Sequence, residues 1–115
     1  MTIADVQKIL KAEVVCGTDL SAEVHNACGS DMMSDVLAFV KDQSVLLSGL
    51  VNTQVVRTAE MMDMLCIVFV RGKAPTAEMI ELAEEFGIVL MKTPLRMFNA
   101  CGRLYENGLR GGDGI

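Results

Sequence analysis

The chain has 115 residues, 51% of them hydrophobic, with a mean hydropathy of +0.39 and a formal net charge of −5. That length suits one domain with its own core, and no stretch approaches the roughly 20 consecutive apolar residues of a membrane-spanning helix. The pI is near 4.7 and the basic residues are scattered, so nucleic acid is excluded as an expected partner: binding would lack the counterion release that dominates such affinities.

Thr2 is placed to cap a short helix from Ile3 to Leu10, whose Ile3, Val6, Ile9 and Leu10 share one side. Glu13 to Cys16 reads as a strand closed by Gly17, and Ala22 to Cys28 is expected to form another. Ser30-Asp31 then caps a helix running through Met32, Met33, Val36 and Leu37 to Val40. From Ser44 onward the pattern alternates regularly. Ser44 to Ser48 is an apolar run of strand length ended by Gly49, and Asn52 caps a helix over Thr53 to Asp63. Cys66 to Val70 is a second such run, closed by Arg71-Gly72-Lys73, after which Pro75 and Thr76 begin a helix that Gly87 ends. Ile88 to Met91 is the third, and Thr93-Pro94 reads as a cap followed by proline at the first helical position of a helix reaching about Asn107.

Strands that are apolar on both faces and start at Val45, Cys66 and Ile88 argue for parallel pairing under helices. The expected fold is therefore α/β: a single domain over residues 1–108, with a central mostly parallel sheet and helices on both faces. Residues 109–115, with four glycine or aspartate positions in Gly111-Gly112-Asp113-Gly114, are expected to be a disordered tail. The N-terminus, Met1-Thr2-Ile3-Ala4-Asp5, has no basic region leading into an apolar one, so a cytoplasmic location is expected.

In such sheets ligands bind beyond the carboxyl ends of the strands. Here that rim comprises Gly29, Ser30 and Asp31, Ser48 and Gly49 with Asn52 and Thr53, Arg71, Gly72 and Lys73, and Lys92 and Thr93, with Ser30, Asp31, Ser48, Gly49, Asn52, Thr53, Arg71, Gly72, Lys73 and Thr93 as the candidate ligand set. Hydroxyls, glycines and cations near helix starts suit a phosphorylated anion such as a nucleotide. Yet Ser30, Asn52 and Thr93 are also what ordinary helix caps require, and Gly49 and Gly72 what ordinary turns require. No G-x-x-x-x-G-K-[ST] or G-x-G-x-x-G string is present. The single histidine, His25, has no Cys or carboxylate at metal-ligand spacing, and Asp31 and Asp35 suit the first turn of a helix without any metal. Cys16, Cys28, Cys66 and Cys101 match neither a zinc pattern nor a redox pair and are expected as buried, reduced thiols. No catalytic residue, metal or cofactor is expected. Nine methionines, among them the doublets Met32-Met33 and Met61-Met62, exceed what one core uses, so some are expected at a subunit interface.

Three strings together resemble the stand-alone DRTGG-domain proteins: Ser30-Asp31-Met32-Met33-Ser34-Asp35-Val36-Leu37-Ala38-Phe39, Leu47 to Met61, and Ile67-Val68-Phe69-Val70-Arg71-Gly72-Lys73. The likeness continues through Thr93 to Leu109. The contiguous string Asp-Arg-Thr-Gly-Gly is absent, and Arg57-Thr58 with the separate Gly49 and Gly72 are its nearest counterparts. That family is similar to the N-terminal domain of HPr kinase and to DRTGG segments beside CBS domains in some pyrophosphatases and phosphotransacetylases. The resemblance implies a compact α/β regulatory module, frequent dimerisation and no kinase activity, since the kinase's phosphate-binding loop belongs to its other domain. The function expected is thus a non-catalytic regulatory or interaction module that homodimerises and docks to cytoplasmic proteins, with sensing of a phosphorylated small molecule as the alternative.

Overall fold

The computed structural model describes residues 1–39, with Phe39 by its backbone, and 43–111. Ten elements follow one another: α1 (Ile3–Leu10), β1 (Glu13–Cys16), β2 (Asn26–Gly29), α2 (Met33–Phe39), β3 (Ser44–Ser48), α3 (Thr53–Met61), β4 (Cys66–Phe69), α4 (Ala77–Phe86), β5 (Val89–Lys92) and α5 (Met97–Glu106). They build one five-stranded sheet in the order β1-β5-β4-β3-β2. β2, β3, β4 and β5 are mutually parallel, and β1 runs antiparallel to β5 at the edge.

The continuous apolar runs are explained by burial on both sides. All of β3 and β4 is buried, and the pleat sends alternate residues to opposite faces. Val45, Leu47, Cys66, Val68, Val89 and Met91 meet Ile3, Val6 and Leu10 of α1 and Ala100 and Leu104 of α5. Leu46, Ile67, Phe69 and Leu90 meet Val36 of α2, Val55, Val56 and Ala59 of α3, and Met79 and Ala83 of α4. Two helices therefore cover one face and three the other. The strand order advances from β2 to β5 in one direction, so the crossover helices α2, α3 and α4 fall side by side.

Local capping agrees with the residues at the helix ends. Thr2 and Asp5 form a reciprocal capping box on α1, Thr76 accepts from the Met79 amide at the start of α4, and Gly87 takes the left-handed conformation that stops it. Asn52 is the N-cap residue of α3, without a side-chain hydrogen bond to the helix.

Several expectations are corrected. The strand expected over Ala22 to Cys28 forms at Asn26–Gly29 instead, because only these residues find β3 as a partner. Val24 is buried by docking its amide on the Met1 carbonyl. Asn26 and Ser44, both buried and opposite one another in the register, are joined by a hydrogen bond from the Ser44 hydroxyl to Asn26 Oδ1. Thr93-Pro94 does not begin α5, which starts at Met97 with Arg96 as N-cap. Next to the expected domain end at residue 108, Leu109 is buried and the Arg110 carbonyl accepts from the Ala27 amide at the outer edge of β2. The expected reach of the second helix to Val40, and the tail residues 112–115, lie outside the described residues.

All four cysteines are free thiols. Cys16 and Cys66 are buried and Cys28 and Cys101 half-buried, and burial pushes each thiol above its ordinary value, Cys66 furthest. Thiols held protonated in this way are poor nucleophiles, so they behave as small apolar side chains.

Candidate functional site

The four parallel strands end together at Gly29, Ser48, Phe69 and Lys92. β4 is followed by α4 on one face of the sheet, and its neighbour β5 by α5 on the other. Adjacent parallel strands whose connections diverge in this way leave a crevice between their ends, the usual ligand position in open parallel sheets. In this protein the crevice is bridged by backbone. The Arg71 amide donates to the Leu95 carbonyl at 2.8 Å and the Gly72 amide to the Thr93 carbonyl at 2.8 Å. Those two amides are consumed, and the open space lies to one side, between the β2 end, the β4–α4 turn and the start of α5.

There a cleft of about 420 Å³ is lined by Gly29, Ser30, Asp31, Val70, Arg71, Arg96, Met97 and Phe98. Each is positioned for a local reason. The Ser30 hydroxyl accepts from the Met32 amide at 2.9 Å and turns the chain towards α2. Asp31 Oδ1 accepts from the Gly49 amide at 2.6 Å and from the Ser48 hydroxyl at 3.2 Å, tying the β2–α2 turn to the end of β3. Arg71 occupies the left-handed region at φ 61°, unusual outside glycine and costing on the order of 1 kcal/mol or more. It is held there by a turn in which the Lys73 amide donates to the Val70 carbonyl at 3.2 Å, and by its own bond to Leu95. Its guanidinium lies against Gly49, where any side chain would collide with Nη2. At Gly29 an added Cβ would sit 2.6 Å from Cys101 Sγ and 3.1 Å from Met97 Sδ. The lack of a side chain there lets α5 approach β2 and carries Met97 and Phe98 to the cleft.

Of the residues expected at the rim, Gly29, Ser30, Asp31 and Arg71 line this cleft. Ser48 and Gly49 stand behind Asp31, both buried, with the Ser48 hydroxyl also accepting from the Leu50 amide at 3.1 Å. Asn52, Thr53, Gly72 and Lys73 do not line it. Thr93 is 0% exposed: its hydroxyl donates to the Leu10 carbonyl at 2.6 Å and accepts from the Leu95 amide at 3.2 Å, so it ties α1 to the β5–α5 connection.

Three lining residues, Arg96, Met97 and Phe98, escaped the sequence reading, which placed them inside a helix begun at Pro94. A cation and a large aromatic separated by one residue after Thr-Pro was the available signal. Phe98 is 87% exposed, the most exposed large apolar side chain among the described residues. Among the described residues, neither the Arg71 nor the Arg96 guanidinium makes a hydrogen bond or ion pair.

A second cleft, at the opposite ends of the strands beside Gly17 and the end of α4, carries Asp19 and Glu84 and no cation. His25 precedes β2, about 13 Å of strand from the Asp31 end at roughly 3.3 Å per residue, so it does not join Asp31 and Asp35. Among the described residues, no three His, Cys, Asp or Glu side chains gather as a metal site, and no helix is long and apolar enough to cross a membrane.

No family model matches the chain, and no curated protein does. Among solved structures it is similar to the CBS and DRTGG domains of the regulatory region of Clostridium perfringens pyrophosphatase, solved with the activator diadenosine tetraphosphate. The TM-score is 0.73 at 14% identity, over 99% of this chain and 52% of that one. The chain thus spans about half the length of that chain and has a DRTGG-like α/β fold.

Proposed function

We propose that this chain is a regulatory module, without catalysis of its own, that senses a phosphorylated small molecule at the strand-end cleft. The observation that carries this reading is the pair of arginines, Arg71 and Arg96, that line one cleft with neither guanidinium bound to a protein partner among the described residues. Arginine forks match phosphate oxygens bidentately, and two of them beside a cleft of this size suit a small anion. Support also comes from the nucleotide activator on the pyrophosphatase region of like fold. The ligand set narrows to Ser30, Asp31 and Arg71, joined by Arg96 and Phe98. A cytoplasmic location and a single functional unit spanning residue 1 to at least Arg110 complete the reading.

Thermal unfolding with ATP, ADP, diadenosine tetraphosphate and tripolyphosphate tests it. A ligand at 100 times its Kd stabilises the folded state by about 2.7 kcal/mol, a rise of several degrees. Silence across that panel would remove the sensor reading and leave a protein partner in its place.

A second reading, homodimerisation, is favoured by the exposed apolar side chains of the α2–α3 side: Met32 at 61%, Leu37 at 41% and Met61 at 63%. These include one member of each methionine doublet, the other being half-buried. Sedimentation velocity at micromolar concentration is expected to give a dimer that Met61→Lys together with Leu37→Lys converts to monomer. A wild-type monomer would end that reading.

A further inference from the structure

We infer that the cleft is built for a ribonucleotide and not for a bare phosphate; the inference rests on the anion-sensing reading above. The observation behind it is the company the two guanidiniums keep. Asp31 lines the same cleft, and a carboxylate there repels a simple anion. Held there by the Gly49 amide and the Ser48 hydroxyl, the carboxylate suits a ligand that brings hydrogen-bond donors as well as charge.

The geometry of Asp31 fits that role. Oδ1 is committed to the Gly49 amide and the Ser48 hydroxyl, which fix the carboxylate in place, while Oδ2 has no partner among the described residues. An ionised carboxylate only accepts hydrogen bonds, so whatever meets Oδ2 must donate. Vicinal ribose hydroxyls are such donors, and a carboxylate beside a phosphate site is a common way to hold them. The third group is Phe98. A ring that is 87% exposed at a cleft wall offers a flat apolar face to a base, and stacking of this kind tolerates any base. Guanidinium pair, carboxylate and ring therefore answer the phosphate, sugar and base of one molecule.

The roles assign separate effects to separate parts of the ligand. Arg71 and Arg96 bind the phosphates, Asp31 reads the sugar, and Phe98 covers the base. Asp31→Asn keeps an oxygen for the Gly49 amide while removing the charge, and Phe98→Ala alters a side chain that lies outside the core, so both variants are expected to fold with near wild-type melting temperatures.

The test is calorimetric titration of the wild-type chain and both variants with ATP, GTP, 2′,3′-dideoxy-ATP and tripolyphosphate. For the wild type, ATP or GTP is expected to bind about tenfold or more tightly than the dideoxy nucleotide and than tripolyphosphate. Asp31→Asn should erase the ribose preference and strengthen tripolyphosphate binding, and Phe98→Ala should narrow the gap between ATP and tripolyphosphate. If the wild type binds all four within about twofold, the ribonucleotide inference is overturned while the anion site stands. If none of the four binds, the anion site itself falls, and the inference with it.

Discussion

Phe69→Ala is expected to destabilise the protein by about 3–5 kcal/mol, the range for removing a fully buried aromatic ring. Phe69 is 0% exposed and ends β4, which is hydrogen-bonded to β3 on one side and β5 on the other. Its ring belongs to the cluster formed with Val36, Val55, Val56, Met79 and Ala83, so truncation leaves a void that three helices would have to close. Domains of this size have roughly 5–15 kcal/mol in all, and a large fraction would be lost. Denaturant unfolding of the variant measures it. A loss below about 1 kcal/mol would mean that this face is not packed as described.

Thr93→Val is expected to cost about 1–3 kcal/mol although valine matches threonine in shape. The hydroxyl of Thr93 is the buried partner of the Leu10 carbonyl and the Leu95 amide. Valine would leave both groups without it in a place where water does not reach, since the site is 0% exposed. The same burial separates this residue from the ligand: affinity for ATP in the variant should stay within about twofold of wild type, corresponding to a change below roughly 0.5 kcal/mol. A stable variant with lost affinity would return Thr93 to the binding set and contradict the buried hydrogen bonds. Denaturant unfolding and titration on one preparation separate the two outcomes.

The contrast between Thr93 and Arg96 explains why the fold could be read so much further than the site. Thr93-Pro94 carries every local sign of a helix start, yet the hydroxyl is claimed by a carbonyl 83 residues away. Once it is so used, α5 begins at Met97 with Arg96 as a cap residue that makes no side-chain bond to the helix. Arg96 then stands just before the helix and Phe98 in its first turn, both at the strand ends. Asp31 followed the same logic in reverse. It was legible as a polar residue near a helix start, but its bond to the Gly49 amide depends on β2 and β3 being neighbours.

Local and short-range patterning was enough for β3, β4, the run into β5, the Thr2 cap and the stop at Gly87. The reason is that burial on both faces imposes an unbroken apolar run, and caps need only the residues beside them. The position of β2, the antiparallel setting of β1, the closing of the β4–β5 crevice and the gathering of Asp31, Arg71, Arg96 and Phe98 were decided only in the tertiary structure. An edge strand of four residues has little pattern to betray it, and its place is set by whichever strand accepts its hydrogen bonds. The cleft joins three connections far apart in the chain, so its chemistry exists only once the sheet order has brought them together.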